Sequence, residues 1–197
     1  MLKISRGALS HMKPLKPGGT VISVNLGVPR NVEWEGESYL TGIFKSPVEG
    51  RVKVRALGLQ GDSQADLNVH GGPQKAVYVY PSEHYEYWRN ELQRNLTWGM
   101  FGENLTTEGL LEEDVRPGDR LRTASVEFTV TAPRFPCYKL GIKFGSMEMI
   151  KRFQASRRSG FYLSVSGEGD IAKGDSINIV ESDIEKPTIA EIFASER

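Results

Sequence analysis

A single cysteine, Cys137, occurs among 197 residues, in the stretch "TAPRFPCYKLGIKFG" (131–145). A free thiol often packs as a small hydrophobe, but this one has Arg134 three residues before it and Lys139 two residues after it. Neighbouring positive charge favours thiolate chemistry. Pro133 and Pro136 fix φ on the approach, which predicts a stiff loop rather than a continuing strand. A thiolate suits soft metals, sulfur transfer or redox exchange. With no second cysteine in the chain, a dithiol exchange pair has no partner to resolve it.

Three further segments gather polar residues and glycines. In "GLQGDSQADLNVHGGPQKAVYVY" (58–80), His70 is followed by Gly71, Gly72 and Pro73. Backbone N–H groups are sterically open there, as anion-holding loops require, and Lys75 is placed at the start of a strand. A glycine-rich turn with a hydrogen-bonded histidine accounts for the same residues equally well. In "MFGENLTTEGL" (100–110), Gly102 permits an unusual backbone angle, and Glu103 and Asn104 offer hydrogen-bonding groups beside it. By itself that is only a loop. In "KRFQASRRSGFY" (151–162), Lys151, Arg152, Arg157 and Arg158 crowd together. A solvated helix face explains Lys151 and Arg152. Arg157 and Arg158, beside a glycine turn, are better placed to grip phosphate with a guanidinium fork.

Short β-type runs separated by Gly and Pro turns must position these groups. "TVISVNLG" (20–27), "TGIFKSPV" (41–48), "RVKVRAL" (51–57), "KAVYVYP" (75–81), "VEFTVTAP" (126–133), "GFYLSVSG" (160–167) and "DSINIVES" (175–182) read as strands. "RPGDRL" and "AKGDSI" each put Gly-Asp ahead of a strand, as tight turns do. Helices are predicted in "PSEHYEYWRNELQRNL", in "SMEMIKRFQASRR" and in the closing "TIAEIFASER". Seven or so strands without βαβ alternation point to a barrel or sandwich.

Several function classes drop out. Lys+Arg and Asp+Glu balance at 25 each, so no global field recruits nucleic acid or a membrane surface. One cysteine fits a cytoplasmic compartment, and neither a secretory signal nor a membrane-length apolar run is present. "GEGDIA" (167–172) formally matches a dinucleotide fingerprint, but a strand follows it instead of a helix, so a hairpin turn is expected. No serine-hydrolase elbow and no zinc spacing occur among the one Cys and three His. "SHM" at 10–12 reads as a vector-derived junction, with Met12 the natural start.

Taken in order, "GDSQADLNVHGGPQKAVYVYP", "FGENLTTEGL", "DVRPGDRL", "TAPRFPCYKL" and "GFYLSVSGEGDIAKGDSINIV" resemble the MOSC domain, the module at the C-terminus of molybdenum-cofactor sulfurases. The resemblance covers roughly 58–181 and points to stand-alone bacterial members linked to resistance to N-hydroxylated purines. It implies a mainly β fold: a closed, irregular β-barrel with a few short helices. That barrel would span 20–181, between a flexible leader (1–19) and a short helical tail (182–197) matching the start of a longer helical appendage. The resemblance further implies that Cys137 is the family's cysteine, a molybdenum ligand in reductases and a sulfur carrier in sulfurases. The expected cofactor is a molybdenum cofactor of the molybdopterin type, a pterin dithiolene bearing a phosphate. Cys137 and His70 then become the catalytic candidates, Cys137 also being the metal ligand. Gly71, Gly72, Lys75, Gly102, Glu103, Asn104, Arg134, Arg157 and Arg158 become the cofactor-binding candidates. Pyridoxal phosphate is not expected, because it belongs to the sulfurase's separate aminotransferase-like part. Two functions stay open: a reductase of N-hydroxylated bases or amidoximes, and a non-redox cofactor-binding module or persulfide carrier. The expected partners are a small-molecule substrate and an electron-donor protein, with neither nucleic acid nor membrane.

Overall fold

In β1 (Gly19–Leu26, GTVISVNL) buried and half-buried residues alternate over the first four positions, as a half-buried strand requires. The computed structural model describes residues 18–63 and 71–196. The elements then follow as β2 (Arg30–Trp34), β3 (Glu37–Thr41), β4 (Ser46–Val48), β5 (Val52–Arg55) and β6 (Gly58–Leu59). A turn of 3-10 helix (Pro73–Lys75) leads to β7 (Val77–Pro81), α1 (Glu83–Leu92), β8 (Leu105–Glu108), β9 (Arg120–Arg122) and β10 (Glu127–Pro133). The chain continues through α2 (Tyr138–Phe144), α3 (Glu148–Ser156), β11 (Phe161–Gly167), β12 (Gly169–Ile171), β13 (Ser176–Glu181) and α4 (Ile189–Ser195).

Seven strands close into a barrel in the order β1-β8-β7-β11-β10-β9-β13, with β13 pairing back onto β1 through Gly19 opposite Ile177. All neighbours in the ring are antiparallel except β7 and β8. Register shifts interrupt β1–β8, β10–β11 and β13–β9; such bulges bend strands and help close a small barrel. The expected closed, irregular barrel is therefore present, and Val21, Val79, Leu105, Phe128, Leu163 and Ile177 fill it.

Strand β7 carries two apolar faces. Val77 and Val79 belong to the barrel core, whereas Tyr78 and Tyr80 join an aromatic cluster with Tyr85, Trp88, Phe101 and Phe153. That second cluster glues α1, α2 and α3 to the outside of the barrel. Trp88 donates its indole N–H to Tyr80 (2.7 Å), which satisfies the polar handle that burial would otherwise leave unpaired.

Three local expectations are corrected. The turn after β11 forms no hairpin, because β12 leaves the barrel to pair with β5 (Gly169 opposite Val54). Lys75 sits in the 3-10 turn rather than in a strand. The run 41–48 is split, with Thr41 ending β3 and only Ser46–Val48 in β4. The tail folds back: Ile189 enters the barrel core, and Thr188 and Glu191 form a capping box at the start of α4. His70, the 10–12 junction and most of the leader lie outside the described residues.

Candidate functional site

Strand β10 ends at Pro133 and delivers Arg134, Phe135 and Cys137 to one side of the barrel. Cys137 is the N-cap of α2, in extended backbone (φ −131°, ψ 176°), and its side chain makes no capping bond. The thiol is half-buried and free. It lines a cleft of about 120 Å³ shared with Lys75, Gly102, Asn104, Arg134 and Lys139. Residues 41–43, Lys45, residues 62–63, Tyr78, Phe135 and Tyr162 complete the walls. Segments far apart in sequence thus meet at the sulfur.

Arg134 is the most constrained cation. It is only 5 % exposed, and its guanidinium lies 5.2 Å from the ring centres of both Tyr78 and Phe153. Its Nη1 is buried without a hydrogen-bond partner among the described residues. Burial opposes its charge, yet the phenols of Tyr78 and Tyr162 and the Cys137 thiol outweigh that and hold its pKa above the ordinary value. A buried guanidinium with an idle N–H is costly. An anion in the cleft would remove that cost.

Lys139 is 8 % exposed, and its ammonium has no ion pair or hydrogen bond among the described residues beyond a contact with the Tyr138 ring (5.9 Å). Lys75 is held in place by its turn: Thr131 of β10 donates to Gln74 O (2.6 Å), tying the turn to the strand that leads to Cys137. Lys45 is ion-paired with Asp62. Burial lowers the Lys45 pKa, and Asp62 pulls it back up. Asp62 also accepts from Gly27 N (2.9 Å) and Asn104 Nδ2 (2.8 Å). Among the described residues the cleft therefore brings four cations, Lys45, Lys75, Arg134 and Lys139, to one carboxylate, Asp62. That balance suits an anion.

The loop 99–104 forms the facing wall. Gly102 adopts φ 83°, and a Cβ there would lie 2.7 Å from Ile43 Cγ1, so close approach of two loops requires the glycine. Asn104 lines the cleft, but its carbonyl oxygen accepts from Tyr78 N (3.1 Å) and its amide is engaged with Asp62. Glu103 turns the other way. It is fully buried and accepts from Tyr85 O–H, Gly99 N (2.7 Å), Phe101 N (3.0 Å) and Thr106 Oγ1 (2.9 Å). Burial raises its pKa, and the bond from Tyr85 opposes the rise. It braces the loop from behind instead of reaching a ligand.

Arg157 and Arg158 also sit elsewhere. Arg157 takes the left-handed conformation that ends α3 (φ 57°), and Arg158 lies over the Tyr87 ring (3.8 Å) and donates to Ser156 O (2.8 Å). Neither is among the lining residues, nor are Gly71 and Gly72, which lead into the Lys75 turn. Lys45, Asp62, Tyr78 and Tyr162 carried no sequence signal of their own. Asp62 stood in the quoted glycine-rich segment, and the tyrosines read as ordinary strand residues.

The family model for the MOSC domain matches residues 66–178, more than half of the chain. The chain belongs to the MOSC family. Its relatives agree. The chain is 44% identical over 161 residues to the uncharacterized protein YflK of Bacillus subtilis, covering 82% of this chain and 73% of that one. It is 36% identical over 157 residues to protein YiiM of Escherichia coli, covering 78% and 70%. A reductase of Gibberella moniliformis is 33% identical over 184 residues, 90% of this chain but 32% of that longer protein. The crystal structure of YiiM from Geobacillus stearothermophilus superposes with a TM-score of 0.74 at 34% identity, covering 89% of this chain and 82% of that one. MOSC domains are associated with the molybdenum cofactor.

Proposed function

We propose that this cleft holds a molybdenum cofactor with Cys137 as a metal ligand, and that the protein reduces N-hydroxylated compounds. The observation that carries the reading is the idle, buried Nη1 of Arg134 in the same cleft as the free thiol. Among the described residues no group of three His, Cys, Asp or Glu could cage a metal. A single soft thiolate fits a metal that brings its own sulfur ligands. The excess of cations fits the phosphate that such a cofactor carries. The alignment with a reductase over nearly the whole chain points the same way.

When bound, the cofactor would supply the two-electron redox chemistry that cleaves an N–O bond. The chain's own residues bind and orient. Arg134 and Lys139 neutralise the anionic ligand, and the two aromatic rings that flank Arg134 prevent its fork from turning away. Lys75, held by the Thr131 bond, lines the same cleft and carries protons that could be given to a leaving oxygen. His70, outside the described residues, stays a candidate either for the same proton transfer or for holding the phosphate, and Lys75 shares both possibilities. Electrons come from a separate donor protein.

Protein made in a cofactor-producing host should retain molybdenum and reduce 6-hydroxylaminopurine with an artificial electron donor. Cys137→Ser should lose both properties, and full activity in that variant would contradict the reading. Molybdenum without turnover would identify a cofactor-binding module. Persulfide on Cys137 without turnover would identify a sulfur carrier.

A further inference from the structure

Phe135 and Tyr138 stand on either side of the thiol, two residues before and one residue after Cys137. They are 40% and 41% exposed, among the few large hydrophobic side chains left open. Scattered exposed rings are ordinary, but each of these has a second ring behind it. Phe193 of α4, 2% exposed, stacks on Phe135 at 5.0 Å and 18°. Tyr39 of β3 packs on Tyr138 at 5.5 Å and 52°, and its hydroxyl donates to Glu37 (2.8 Å).

Both supports are themselves anchored. Helix α4 is tied down by its capping box and by Ile189 N donating to Val115 O (2.9 Å). Strand β3 runs from Tyr39 directly into Thr41, which lines the cleft. The two rings are therefore set in position from behind and open in front. Phe135 lines the cleft itself, whereas Tyr138 stands outside its lining, with its ring centre 5.9 Å from the ammonium of Lys139, which does line it.

We propose that Phe135 and Tyr138 are specificity-determining residues, which select planar aromatic substrates by stacking them beside Cys137. This rests on the reductase reading for its reaction, but binding tests it separately. An aromatic pair is worth enough to shift affinity by about three- to tenfold.

The test uses cofactor-loaded protein and its Phe135→Leu, Tyr138→Leu and Phe193→Leu variants. Two measurements are made: the Kd for adenine, an unreactive planar probe, and kcat/KM for 6-hydroxylaminopurine against acetamidoxime. Both ring variants should keep their molybdenum, weaken adenine about three- to tenfold and lower the preference for the aromatic substrate by a similar factor. Phe193→Leu should show a smaller shift in the same direction. Unchanged adenine affinity, no adenine binding by the wild type, or loss of molybdenum from the ring variants would overturn the proposal. If no variant turns over either substrate while adenine binding still depends on the rings, the reductase reading fails and the aromatic selection stands.

Discussion

A guanidinium sandwiched between two rings keeps its orientation, so the fork of Arg134 is prepared for an anion before one arrives. Arg134→Gln should weaken inorganic phosphate binding to the protein about ten- to a hundredfold, the range expected for a charge-assisted bond. Arg134→Lys should not restore it, because a point charge cannot reproduce the fork. Calorimetric titration decides, and a Lys variant with wild-type affinity would contradict the account. Lys143, on the other side of the 42–45 segment, donates to Ile43 O (2.9 Å) and Gly99 O (2.8 Å). Burial pushes its pKa down to about 8 from 10.5, with Glu103 opposing and Lys45 adding to the fall. Between those values the unfolded chain binds more protons, so this residue's contribution to stability rises with pH. At neutral pH its buried charge costs on the order of 3 kcal/mol, at about 1.4 kcal/mol per pH unit. In urea unfolding, wild type should therefore gain on Lys143→Met between pH 7 and pH 10. A constant gap would show that Lys143 titrates normally.

The loop 99–104 owes its shape to an acid turned inward. Glu103→Gln replaces an acceptor with a group that must donate into a ring of donors, so stability should drop by about 1–3 kcal/mol in urea unfolding. An unchanged midpoint would mean that the loop is held by other contacts. This inward turn is also where the sequence misled, since glutamate is almost never fully buried and Glu103 read as a ligand group. The long alternating runs were legible: β1, β10, β11 and β13 fall where period two predicts them. The β2–β3 hairpin was not, because its two-residue turn uses Glu35 (φ 51°) and Gly36 (φ 84°) in place of the usual Asn-Gly. Helix α2 was hidden by its own glycine. A Cβ on Gly141 would lie 2.5 Å from Met147 Sδ and 3.2 Å from Met147 Cα, so the glycine eases the close turn into α3, yet glycine in seven residues after a proline argues against a helix.

At the scale of the molecule, β7 joins the two cores, Val77 and Val79 facing the barrel and Tyr78 and Tyr80 facing the helices. Barrel and helical layer should then unfold together, with tryptophan fluorescence and far-ultraviolet circular dichroism giving one coincident transition. Separate midpoints would show that the layers are independent. The same strand carries Tyr78 into the cleft wall, its neighbours β8 and β11 bring up Asn104 and Tyr162, and β10 beyond β11 brings up Arg134. Periodicity alone could not foresee that convergence; the motifs, matched to a family, pointed to Asn104 and Arg134 but not to Tyr78 or Tyr162. The proposed function turns on Cys137 as the metal ligand. X-ray absorption at the molybdenum edge of loaded protein should show one sulfur neighbour beyond those of the dithiolene. A sulfur shell no larger than that of the isolated cofactor would contradict it.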